Sequence, residues 1–137
     1  MRSTLRSLGP RAWRLGGAAL AVLALPIVAH SAELGMLDGL AKGAWTLRVR
    51  DGGTEQRICV RDGRELIQIR HKNPGCSRFV VEDGADQVVV QYTCRGNGYG
   101  RTSIRREANN LVQIRTQGII DGAPFAMTAE ARQSGAC

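Results

Sequence analysis

The sequence predicts a mostly β fold: an antiparallel meander of about seven strands forming one curved sheet or an open barrel, with one short helix near residues 62–71. Three observations carry this reading. Short runs rich in Val, Ile, Thr and aromatic residues alternate apolar with polar side chains, which lays every second residue on one face of a pleated strand. Turns bearing Gly, Asn or Asp separate these runs. At the centre, Val88-Val89-Val90-Gln91-Tyr92-Thr93-Cys94, a Gly96-Asn97-Gly98 turn and a second β-prone arm from 99 to 107 agree on a hairpin, because Asn-Gly supplies the left-handed residues a tight turn needs.

The chain has 137 residues, and the first 32 read as a secretory signal peptide ahead of one domain, 33–137. Arg2, Arg6, Arg11 and Arg14 form a positive start, 15–29 is an apolar run, and small residues around Ala29, Ser31 and Ala32 mark cleavage between His30 and Glu33. The apolar run is shorter than the ~20 residues a spanning helix needs, so no stable membrane insertion is expected after cleavage. With the leader go four arginines and no acid, which lowers the net charge from +7 to +3. A charge that mild gives no reason to expect nucleic acid as a partner.

In the domain, 33–42 is a loosely ordered lead-in weakened as a helix by Gly35 and Gly39. Trp45, Leu47 and Val49 alternate with Thr46, Arg48 and Arg50 as a first strand; Asp51-Gly52-Gly53 turns it back into a second carrying Ile58 and Val60. Asp62-Gly63-Arg64-Glu65 resembles a capping box, which places the short helix up to about residue 71 before Asn73-Pro74-Gly75 ends it. The meander then runs through 78–82, 87–94, 99–107, 111–117 and 124–132, each joined by its own turn signal. A two-sheet sandwich is the alternative architecture.

Cys59, Cys76, Cys94 and Cys137 make an even count in a small exported domain, so two disulfides are expected. The expected pairs are Cys59 with Cys76, closing a short loop, and Cys94 with Cys137, tying the C-terminus to the central hairpin. Spacings of 17, 18 and 43 residues contain no Cys-x-x-Cys, and His71 is the one histidine of the domain, so neither zinc nor another cofactor is expected.

Gly43-x-Trp45, Ile58-Cys59-Val60, Cys76-Ser77-Arg78-Phe79, Tyr92-Thr93-Cys94-x-Gly96-x-Gly98-x-Gly100-x-Thr102, Gln117-Gly118-Ile119, Gly122-x-Pro124-Phe125, Glu130-x-Arg132 and the terminal Cys137 together resemble a small proteobacterial periplasmic family of four-cysteine domains of unknown function. That resemblance covers essentially all of 33–137. It implies a periplasmic or secreted, disulfide-bonded β domain, and it brings no catalytic or ligand-binding residue with it.

Chemistry is sparse. Gly96-Asn97-Gly98-Tyr99-Gly100 lies between two strands, whereas a phosphate-cradling loop leads into a helix. A hydrolase would have to assemble His71 with Ser77 or Ser103, or two acids from Glu107, Asp121 and Glu130. Thirteen of the fifteen cations of the domain are arginines, with Arg48, Arg50, Arg101, Arg105 and Arg115 the candidate anion-binding set. Arg105, Arg115 and Arg132 are expected to be neutralised across strands by Glu107 or Glu130. The reading that follows is a non-catalytic binding or envelope-associated module whose partner is a small ligand or an envelope protein; a hydrolase of envelope material and a surface for anionic polymers are the alternatives. Nothing in the residues fixes an oligomeric state.

Overall fold

The computed structural model describes residues 34–72 and 74–137; the signal peptide expected over 1–32, and Asn73 of the expected turn, lie outside the described residues. Among the described residues no helix is long and apolar enough to cross a membrane. Seven strands, β1 (Gly43–Val49), β2 (Gln56–Val60), β3 (Ser77–Asp83), β4 (Gln87–Cys94), β5 (Gly98–Ala108), β6 (Leu111–Ile120) and β7 (Ala123–Gly135), form one antiparallel sheet. Their spatial order is β2-β1-β7-β6-β5-β4-β3. The sheet does not close into a barrel: β2 and β3 are its two edges.

Alternation decides which face is buried. Leu47, Val88, Val90, Tyr92, Ile104, Val112, Ile114, Ala129 and Ala131 share the inner face and are buried, while Thr46, Arg48, Gln91, Arg101, Arg105 and Arg115 stand on the outer face. A single sheet must cover its apolar face with something, and here two irregular segments do so. One is the lead-in, whose helix α1 (Gly35–Asp38) buries Met36 and Leu37 between Leu34 and Leu40. It is anchored where Trp45 Nε1 donates to the Ala41 carbonyl at 2.8 Å and where the Leu34 N–H donates to Asp83 Oδ2 at 3.2 Å. The other is the 61–76 connection from β2 to β3, which buries Leu66, Ile67 and Ile69.

The helix expected over 62–71 is only the 3-10 turn Arg64–Leu66. Asp62 accepts from the Arg64 N–H at 3.0 Å, but the N-cap is Gly63 with no side-chain cap bond, and Glu65 reaches back to the Arg61 N–H, so the expected capping box is not formed. Propagation would require the Ile67 carbonyl to accept from the His71 N–H four residues on. Instead that carbonyl accepts from the Thr102 hydroxyl at 2.6 Å, and the His71 N–H turns to the Gln68 carbonyl at 2.9 Å. A sheet side chain therefore stops the helix.

Both disulfide partners expected from the sequence are corrected: the bonds are Cys59–Cys137 and Cys76–Cys94. The physical reason is the pairing of the first strand with the last. Ala44 of β1 lies opposite Gly135 on one side and Cys59 on the other, which brings the C-terminus beside β2 and away from the central hairpin. Ser77 lies opposite Thr93, so the residues next to them, Cys76 and Cys94, face each other. The Cα separations are 5.7 and 4.2 Å.

Closing 78 and 18 residues respectively, the two bonds should contribute roughly 4 and 3 kcal/mol in the chain-entropy treatment. Urea unfolding should therefore show the Cys59→Ser/Cys137→Ser protein losing more stability than Cys76→Ser/Cys94→Ser. A non-reducing peptide map should return these two pairs and no others.

Candidate functional site

Two arrangements of polar side chains stand out, one buried beneath the sheet and one exposed above it. In the first, His71 is 1% exposed and has both ring nitrogens engaged. Nε2 lies 3.1 Å from the Ile119 carbonyl, which only accepts, so Nε2 carries the proton; Nδ1 then accepts from the Tyr92 hydroxyl at 3.0 Å. Thr116 and Thr102 extend the polar path: Thr102 gives its proton to the Ile67 carbonyl, so Thr116 donates to Thr102 Oγ1 at 2.8 Å. The His71 and Tyr92 rings meet edge-on at 5.2 Å.

Glycines make room for these rings. A Cβ at Gly100 would collide with the Tyr92 phenol, and one at Gly98 would collide with the Ile119 carbonyl and press on His71 Nε2. The Gly-x-Gly spacing after the hairpin turn thus clears one face of β5 for two rings. Burial pushes the Tyr92 phenol above its ordinary 10.0, opposed by its hydrogen bonding with Thr116 and the positive charge of Arg70.

The hydrolase arrangements are not assembled by this geometry. His71 lies on the inner face, committed to Tyr92 and Ile119, whereas Ser103 opens to the outer face and the Ser77 hydroxyl donates to the Thr93 carbonyl. Glu107 and Glu130 do approach each other, both accepting from Gln113 Nε2 at 3.2 and 3.1 Å. The Gln113 hydrogen bond, with help from the positive charge of Arg132, holds the Glu130 carboxyl below its ordinary 4.5, the reverse of what a general acid needs. Asp121 is bonded to the Asn97 amide instead.

On the outer face the five candidate anion-binding arginines divide. Arg48 pairs with Glu55 at 2.7 Å and Arg105 with Glu107 at 2.9 Å, while Arg50 donates to the neutral Gln113 at 2.7 Å. Arg132 reaches Glu130 at 3.5 Å. Arg105 and Arg132 are thus neutralised along their own strands and not across the sheet as expected, because residues two apart on a strand share a face. Arg101 and Arg115 have no carboxylate partner among the described residues. Arg101 lies opposite Gln117, and Ser103 opposite Arg115, so the two guanidinium groups are diagonal neighbours on adjacent strands. Ser103, Arg115 and Thr128 line two adjoining hollows of about 190 and 290 Å³.

Aromatic surface adjoins this pair. Phe79 lies in the same cross-strand row as Arg101 through Gln91, and Tyr99 is two residues before Arg101 on the same face. They are 70% and 50% exposed, and Val81 on the same edge strand is 43% exposed.

Removing the Tyr92 hydroxyl should leave His71 Nδ1 buried without a partner, so Tyr92→Phe is expected to lower stability by roughly 1–3 kcal/mol. Because the folded phenol titrates above 10.0, its contribution is fully present below that pH and is lost as pH rises through the folded value. Urea melts of the native and Tyr92→Phe proteins should therefore converge on the alkaline side. No family model, curated protein or solved structure matches the chain.

Proposed function

We propose that the protein is a non-catalytic, exported module of the cell envelope that docks an acidic protein partner on the outer face of its sheet. The observation that carries the reading is the Arg101–Arg115 pair, which meets no carboxylate among the described residues and stands beside exposed Tyr99 and Phe79. Aromatic and Arg side chains dominate the energetics of protein interfaces, and an unneutralised positive patch steers an acidic partner onto them. The envelope placement rests on the leader, on the resemblance to exported four-cysteine domains, and on two disulfides compatible with an oxidising extracellular compartment. An anionic polymer is less well served, since Arg48 and Arg105 of the arginine set already have acidic partners.

A photo-crosslinking residue in place of Tyr99 tests the docking face. In envelope preparations it should yield one discrete adduct, lost when Arg101→Glu and Arg115→Glu are combined and preserved when Arg57→Glu is introduced. An absent adduct, or one indifferent to the charge reversal, would overturn this face as the interface.

A further inference from the structure

β2, the 61–76 connection and β3 together line an open cleft of about 740 Å³, within the size range of small-ligand sites. Three cations from three separate elements converge on it: Arg57 from β2, Lys72 from the connection and Arg78 from β3. None has a carboxylate partner among the described residues. The two acids that share the cleft, Asp62 and Glu65, keep their charge and are outnumbered by its four cations. Asp62 accepts from the Arg64 N–H at 3.0 Å, and Glu65 Oε1 accepts from the Arg61 N–H at 3.0 Å while Oε2 is shielded from solvent. The guanidinium of Arg64, also at the cleft, is held by Asp38 at 2.6 Å. Four cations against two acids leave a positive balance in a concave surface, where field lines concentrate and counter-ions collect.

Arg78 is also held in place. Gln68 Oε1 accepts from Arg78 Nε and Nη2 at 3.3 and 3.0 Å, and Gln68 Nε2 donates to the His71 carbonyl at 3.2 Å, so the amide orients Arg78 from a buried anchor. Lys72 follows His71, whose ring is fixed on the sheet by Tyr92 and Ile119. Like charges assembled on a positioned frame favour a ligand that neutralises several of them at once, and Ile58 and Ile69 add apolar wall for a carbon skeleton.

We propose that this cleft binds a small polyvalent oxyanion, a solute carrying two or more carboxylate or phosphate groups, clasped between Arg57 and Arg78 with Lys72 alongside. The cleft shares no residue with the Arg101–Arg115 face, so it stands or falls separately from the docking surface.

Citrate and pyrophosphate, titrated into the folded disulfide-bonded protein with chloride holding ionic strength constant, separate the carboxylate source from the phosphate source. For at least one of them, amide NMR should show saturable shifts confined to 56–58, 62–72 and 78, and calorimetry should show binding at least tenfold weaker in Arg57→Gln/Arg78→Gln. Arg101→Gln/Arg115→Gln should bind as the native protein does, with melting temperatures confirming that both variants fold. Absence of saturation with both anions, shifts centred on the outer face, or undiminished affinity in Arg57→Gln/Arg78→Gln would each overturn the proposal.

Discussion

A lone sheet has two faces, and burying one of them without a second sheet or a long helix puts irregular backbone against an apolar surface. Irregular backbone brings amide groups that find no partner in a ladder, and each one left dry costs free energy. The inner-face hydroxyls and the imidazole resolve this. Thr102 takes the Ile67 carbonyl, and His71 spans from Tyr92 to the Ile119 carbonyl, so the 61–76 connection is held to the sheet by side chains. The glycines at 98 and 100 belong to the same solution, since the rings that hold the cover need a surface without Cβ atoms in their way. The cleft depends on it too, because its connecting wall is the outer side of that pinned segment.

Much of the strand pattern is legible in the residues because each strand follows from local alternation and each reversal from a local turn. The central hairpin, the meander after it and the β1–β2 pair stand where alternation puts them, but the hairpin turn differs from the expected Asn97-Gly98 pair: Cys94 lies opposite Gly98, so the loop is 95–97, and Gly96 and Gly98, not Asn97, take positive φ. The β1–β7 pairing joins the two ends of the domain, has no connecting turn to announce it, and determines which cysteines meet. The 62–71 segment fails as a helix for a comparable reason: the competing donor, Thr102, is distant in sequence. His71 reads from the sequence as an isolated base, yet Gly98 and Gly100 at a two-residue spacing on one strand, ahead of Thr102, hold the signal that a bulky ring rests there.

Charge on the outer face is organised by position and not by count. Toward Glu107 and Glu130, Gln113 bridges two carboxylates that Arg105 and Arg132 also reach, and accepts from Arg50 as well, making a compact network of paired charges. Toward the Gly98 end, Arg101 and Arg115 have Gln117, Ser103 and Thr128 for neighbours, and those groups solvate a guanidinium without cancelling it. Alternation alone places all of these residues on one face; Arg105 and Arg132 meet an acid two residues away on their own strands, and Arg101 and Arg115 have no acid at that spacing.

Six successive antiparallel pairings have a consequence of parity. Direction reverses at each step, so the first and last strands of the row, β2 and β3, point the same way. Rolling this sheet until those two met would force a parallel pair between strands whose every other neighbour is antiparallel, with slanted bonds replacing perpendicular ones. An odd number of strands thus frustrates a uniformly antiparallel closure, and the gap it leaves is the one the 61–76 connection and its cleft occupy.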